Sequence, residues 1–171
     1  MAADLKARLA GLRDAPAIAE IYNQGIGDRQ ATFETEPRSA TAVDDILKAG
    51  ADRYPAVVVE DGDRVIGFAW MSEYRRRDAY AGVAEFSVYV ARDAWGRGAG
   101  RLAMDVLVAE AERRGFWKLV SRIFPENAAS RALCAAVGFR EVGVYRRHGR
   151  LDGRWMDCVI VERLLGPAAK D

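Results

Sequence analysis

Apolar residues follow two rhythms along this chain, and the change from one to the other is sharpest between residues 83 and 115. Val83, Phe86, Val88, Tyr89 and Val90 form a dense run of β-branched, aromatic and apolar positions, the pattern of a strand buried on both faces. Glu85 interrupts it. From Gly100 onward the rhythm becomes helical: Leu102, Ala103, Val106, Leu107 and Ala111 recur at steps of three and four, and Arg113, Arg114 and Gly115 supply a basic last turn and a stop. Between strand and helix lies Gly96-Arg97-Gly98-Ala99-Gly100. With so few side chains, its backbone N–H groups are free to converge on an anion at the positive end of the helix dipole, and a phosphate is the expected occupant.

The same reading carries through the rest of the chain. Residues 7–12 read as a short first strand, after which Asp14 as N-cap and Pro16 in the first turn open a helix carrying Ile18, Ile21 and Tyr22 that stops near Gly25. Residues 27–39 keep neither rhythm and read as a loop with one aromatic, Phe33. Thr41 followed by Asp44 is an acidic variant of a capping box, opening a second helix through Ile46 and Leu47. Residues 56–59 and 65–70, joined at Asp61-Gly62, read as a β-hairpin. Downstream, 118–123 is a strand, 127–137 a helix closed by Gly138, and 142–145 with 155–161 a last hairpin whose tip lies near Leu151-Asp152-Gly153. There is no internal repeat or linker. Residues 1–166 are expected to form one α/β domain, with 167–171 a flexible tail.

Composition narrows the chemistry. A chain of 171 residues is long enough for one domain with a real core. Its 26 basic and 25 acidic residues leave a formal charge of +1, which gives no global attraction to nucleic acid or to an anionic membrane. Apolar runs such as 56–59 are too short to cross a bilayer and the N-terminus lacks a signal-peptide layout, so a cytoplasmic protein is expected. Two cysteines, Cys134 and Cys158, and a single histidine do not form a metal-ligand spacing, so neither a metal nor a disulfide is expected. Gly98-Ala99-Gly100-Arg101-Leu102-Ala103 satisfies G-x-G-x-x-A. A dinucleotide fold, however, places that motif after the first strand of a βαβ unit and ends the next strand in an acid. Here two antiparallel strands come first and the next strand ends near Arg122-Ile123.

A set of short motifs points elsewhere: Ile21-Tyr22-Asn23, Thr32-Phe33-Glu34-Thr35-Glu36-Pro37, Tyr74-Arg75-Arg76-Arg77, Glu85-Phe86-Ser87-Val88-Tyr89-Val90, the glycine loop, Pro125-Glu126-Asn127-Ala128-Ala129-Ser130 and Gly138-Phe139. With the order strand, helix, helix, hairpin, strand, glycine loop, helix, strand, helix, hairpin, the chain resembles the GNAT acetyltransferase superfamily over nearly its whole length. Within it, the motifs are most similar to those of the phosphinothricin N-acetyltransferases and their arsinothricin-acetylating relatives.

The resemblance implies a mixed, twisted central sheet flanked by helices and splayed at the acetyl-CoA-binding strand. It implies that acetyl-CoA rests its pyrophosphate on the backbone of Trp95, Gly96, Arg97, Gly98, Ala99 and Gly100, with Arg101 beside it, and lays its pantetheine arm along Val88, Tyr89 and Val90. Trp95 departs from the Arg or Gln usual there. Asn127, with Ser130, matches the position of an amide near the cofactor arm, although Asn127 equally suits a helix N-cap. An amine nucleophile must lose a proton, since α-amino groups titrate at about 8. Glu85 matches the family's general base, acting directly or through water, and its plain structural alternative is an ion pair with one of Arg75 to Arg77.

A backbone N–H near Val88 would meet the oxyanion. Cys134 stands where the phosphinothricin group commonly has His, and is either a proton donor to the leaving thiolate or inert packing, with Tyr145 and His148 as alternative donors. Arg75, Arg77 and Tyr80 are implied to hold the acidic end of a small amino acid, with Phe33 and Glu34 closing the pocket; the alternative for the arginines is a solvated loop. A homodimer through the last hairpin is also implied. The expected activity is N-acetylation of an acidic amino acid or analogue such as phosphinothricin, arsinothricin or methionine sulfoximine. The alternatives are acetylation of a peptide N-terminus or a polyamine on the same fold, or acyl-CoA binding without catalysis.

Overall fold

The structure, a computed structural model, describes residues 4–170. Among these residues seven strands form one mixed sheet in the order β1-β2-β3-β4-β5-β7-β6, flanked by four α-helices. The strands are β1 (Leu5–Leu9), β2 (Ala56–Asp61), β3 (Arg64–Glu73), β4 (Val83–Val90), β5 (Lys118–Ile123), β6 (Arg140–Leu151) and β7 (Arg154–Leu164). The helices are α1 (Ala15–Asp28), α2 (Ala40–Gly50), α3 (Ala99–Arg113) and α4 (Ala128–Ala136). Every neighbouring pair is antiparallel except β4 and β5. The core is filled by Ile18, Ile66, Phe68, Met104, Leu107, Phe116 and Leu119, all with no more than a trace of surface.

Several local readings shift, each for a physical reason. The first strand lies at Leu5–Leu9, because residues 12–14 turn into a 3-10 helix. Asp14 occupies the N-cap position of α1 without capping it: its buried carboxylate accepts the Gly11 N–H at 2.8 Å and both terminal nitrogens of Arg8 at 2.8 and 2.9 Å. Arg8 also reaches Glu60 on the neighbouring strand β2, so the cluster ties the sheet edge to the start of the helix. Burial works against that charge, yet the hydrogen bonds hold the Asp14 carboxyl below its ordinary value. Helix α1 does not stop at Gly25 but runs three residues further. Gly25 is there for closeness, since a Cβ on it would sit 2.7 Å from the Tyr89 ring. Helix α2 is capped by Ser39, whose Oγ accepts the Ala42 N–H, and not by Thr41; Asp44 instead pairs with Lys48 one turn on.

The first hairpin turns at Gly62 and Asp63, and the last one is far longer than its apolar positions suggested, reversing at Asp152 and Gly153, both at positive φ. Residues 166–169 form a 3-10 turn, held by the Gly166 N–H on Glu112, where a frayed tail was expected. Strand β4 is not buried on both faces: only Ala84 and Phe86 are fully enclosed. The cause is the sheet itself. β4 and β5 pair in parallel only at Val83↔Lys118, Ala84↔Leu119 and Glu85↔Val120, and beyond Glu85 the two strands part.

Candidate active site

The parting strands open a cleft of about 450 Å³ between β4 and the N-terminus of α4, closed at one end by the glycine loop. Carbonyl directions alternate along a strand. The Phe86 carbonyl accepts the Ser121 hydroxyl at 2.9 Å and the Val90 carbonyl accepts the Trp95 indole N–H at 3.0 Å, so both point into the gap. Val88, midway between them, therefore turns its N–H and C=O toward the same space. A strand edge left open in this way is a template for an extended ligand.

The glycine loop forms the other half of the cleft. Gly96 and Gly98 sit at φ +76° and +87°, the left-handed region that side chains resist, and nothing lies within 4 Å of where their Cβ atoms would be. Gly98 is the N-cap of α3 and supplies no side-chain cap, while the Leu102 N–H makes the first intrahelical bond back to the Gly98 carbonyl. The N–H groups of Ala99, Gly100 and Arg101 precede that bond and point out of the helix end toward the cleft. Of the residues expected to hold a nucleotide cofactor, Val88, Tyr89, Val90, Trp95, Gly96, Gly98, Ala99, Gly100, Arg101, Asn127 and Ser130 all line this space. Arg97 does not; its guanidinium is bonded to Asp61 at 2.6 Å. Asn127 serves as the N-cap its sequence position allowed, its Oδ1 accepting the Ser130 N–H, while its Nδ2 donates to the Gln30 carbonyl on the opposite wall.

A second cavity of about 550 Å³ adjoins the first across Tyr89 and Ala31. Phe33 and Glu34 line it, as does Glu85. The Phe33 ring meets Phe124 edge-on at 4.9 Å, and Glu34 is forked to Arg38, whose Nε donates at 2.9 Å. Glu85, 31% exposed, is paired with Arg122 of β5 and with none of Arg75 to Arg77: one terminal nitrogen of Arg122 lies 3.3 Å from each carboxylate oxygen. Tyr89 borders both cavities. Its ring stacks on Phe68 at 5.5 Å and meets Tyr22 edge-on at 4.9 Å, and burial pushes its phenol well above the ordinary range.

Arg75, Arg77 and Tyr80 stand apart from this group. They line a separate hollow of about 410 Å³ with Arg53 and Glu73, on the loop between β3 and β4. Arg75 lies 5.1 Å over the Tyr74 ring, and Arg76 alone of the three pairs with a carboxylate, Glu73. Cys134 is buried and borders a narrow space of about 60 Å³ in the gap with Asn127 and Ser130. Burial, aided by the charge of Glu141, pushes its thiol up to about 11. Tyr145 and His148 lie together on β6, exposed and 4.9 Å apart. Arg122, Tyr22 and Arg38 were missed as site residues. Arg122 closed a predicted strand, and no spacing could show that β5 would set it against Glu85.

Among the described residues no helix is long and apolar enough to cross a membrane, and no three His, Cys, Asp or Glu side chains group as a metal site. Residues 18–139 match the acetyltransferase (GNAT) family, and the chain belongs to that family of acyl-transferring enzymes. It is 36% identical to the phosphinothricin N-acetyltransferase of Alcaligenes faecalis, over 89% of this chain and 78% of that one. It is 32% identical to the L-methionine sulfoximine/L-methionine sulfone acetyltransferase of Pseudomonas paraeruginosa, over 94% of both chains. Its fold is similar to that of a phosphinothricin acetyltransferase from Sinorhizobium meliloti in complex with acetyl-CoA. That structure superposes with a TM-score of 0.90, at 31% identity, over all of this chain and 92% of the other.

Proposed function

We propose that this enzyme transfers the acetyl group of acetyl-CoA directly to the amino group of a small acidic amino acid or analogue of the phosphinothricin, arsinothricin or methionine sulfoximine type. One observation carries the reading: the open edge of β4 runs from an uncapped helix N-terminus straight to a carboxylate at the mouth of a second cavity. The pyrophosphate takes the N–H groups of the glycine loop and the pantetheine arm pairs with Val88, which leaves the thioester at the junction near Tyr89. Glu85 takes a proton from the acceptor amine, whose lone pair attacks the thioester carbonyl. The Val88 N–H meets the oxyanion; the C–N bond forms, the C–S bond breaks and the thiolate leaves. Cys134, which borders the gap beside Val88 and Tyr89, is the candidate proton donor to that leaving group. A thiol that ionises only near pH 11 is protonated throughout the neutral range but gives its proton up reluctantly.

Arg75, Arg77 and Tyr80 take the distal acidic group in this reading, reaching from beyond the end of β3, whose Ser72 already lines the acceptor cavity. A homodimer would cover the last hairpin, where Val142, Val144, Tyr145 and Trp155 are exposed together. Thiol release from acetyl-CoA, measured against phosphinothricin, methionine sulfoximine, aspartate, spermidine and a short peptide, tests the whole assignment. Turnover of the acidic acceptors, with a raised KM in Arg75→Ala, is expected. Turnover of spermidine or peptide alone would sink the substrate assignment and leave acetyl transfer standing.

A further inference from the structure

Two guanidinium groups line the acceptor cavity, and they are held very differently. Arg38 is engaged by Glu34 through both arms of its fork and lies against the Tyr22 ring at 4.8 Å. Arg122 offers Glu85 a single nitrogen, 3.3 Å from each oxygen, well beyond the roughly 2.7–2.9 Å of a strong charged hydrogen bond. Its side chain is 48% exposed, so part of its fork faces the cavity. This is a loose pair, one whose carboxylate is replaceable.

The acceptor's own geometry says by what. In an α-amino acid the amine nitrogen and the nearer carboxylate oxygen are roughly 3 Å apart, set by the bonds between them. An amine placed to give its proton to Glu85 therefore brings its α-carboxylate beside the group that already neighbours Glu85, which is Arg122. We propose that Arg122 binds the acceptor's α-carboxylate, exchanging Glu85 for it, so that seating an α-amino acid frees Glu85 to receive the amine proton. The inference rests on the proposed substrate class and deepens it. The exposed pair Arg75 and Arg77 serves the distal acid, and Arg122 makes the enzyme demand an α-amino acid. A simple amine leaves Glu85 tied to Arg122.

The test uses the full chain with acetyl-CoA and two acceptors, methionine sulfoximine and its α-carboxamide, with spermidine and a short peptide as controls. Wild type should prefer the acid. Arg122→Gln should raise KM for the acid about 10- to 100-fold, the worth of a charged hydrogen bond, with little change in kcat, and should raise kcat for the amide, whose turnover no longer has to draw Glu85 away from Arg122. Arg122→Lys should recover part of the loss. Because the side chain is partly exposed, unchanged unfolding temperatures are expected and check the fold. Equal losses of kcat for acid and amide would mean that Arg122 only orients Glu85, and unchanged constants would mean that it does neither; both overturn the inference while the substrate class stands. A wild type that ignores both amino acids and turns over spermidine or peptide overturns the substrate class and this inference together.

Discussion

The two cavities proposed above as donor cleft and acceptor cavity share Tyr89, yet they are built on opposite plans. The donor side is largely one contiguous stretch, from Val88 to Arg101, and what it presents is mostly backbone: the open edge of β4 and the first N–H groups of α3. The acceptor side is assembled from side chains drawn from α1, the loop before α2, β3, β4, β5 and β7. A backbone site tolerates changes of side chain and fails when φ is forced. A side-chain site fails when a single polar group is lost, because its neighbours are then left unpaired.

The largest effect should come from the acceptor side. Glu85→Gln keeps size and shape but cannot take the amine proton, so kcat should fall roughly 10²–10⁴-fold while acetyl-CoA affinity stays, as single-turnover kinetics and calorimetry would read. An undiminished kcat would remove Glu85 from the chemistry. Gly25→Val strikes the shared wall: its Cβ would meet the Tyr89 ring at 2.7 Å, and overpacking of this kind costs about 1–3 kcal/mol, visible as a lower denaturation midpoint.

On the donor side the contrast itself is testable. Gly98→Val forces a side chain to φ +87°, a strain of about 1–2 kcal/mol that the loop would relieve by leaving its geometry, so the Kd for acetyl-CoA should rise about tenfold. Trp95→Ala, which removes a whole indole from the same loop, should change Kd by less than about threefold, below 1 kcal/mol. The reverse order would show that side chains carry the donor site.

The smallest effect on turnover concerns Cys134. Its folded thiol ionises near 11, against about 8.5 for an unperturbed thiol. A raised folded value favours the protonated folded form, so this contribution is fully present below about pH 8.5 and is lost as pH rises toward 11. Cys134→Ala should leave kcat within about threefold and lack that alkaline limb, worth on the order of 3 kcal/mol in denaturant melts. A collapse of kcat would make the thiol the proton donor.

How much was legible follows the same division. The strand, loop and helix from Val83 to Gly115 were readable because each is specified locally, by a run of strand formers, three glycines, a helical period and a stop. Long-range closeness was not: the half-open burial of β4 depended on where β5 parts from it. Gly25 looked like a helix stop because a sequence does not show that Tyr89, on another element, presses against it. Ser39 outcompeted Thr41 as the cap by two residues, a difference below the resolution of a capping motif. The acid in β4 was conspicuous, but its partner was sought among nearby arginines, and the sheet order supplied Arg122 from 37 residues away. Arg75, Arg77 and Tyr80, read as one pocket with Phe33 and Glu34, line a different hollow in the single chain.

The seam between β4 and β5 reaches beyond catalysis. Two half-sheets, β1 to β4 and β5-β7-β6, are stitched in the sheet by three residue pairs, like boards nailed at one end. In the donor placement proposed above, the pantetheine arm fills the open length and serves as a removable strand. Metabolic supply then becomes a mechanical property: at a hundred times its Kd, a ligand that binds only the folded chain adds about 2.7 kcal/mol to stability. A cell short of acetyl-CoA would hold a slower enzyme that is also softer, more open to proteases, and so fewer copies of it.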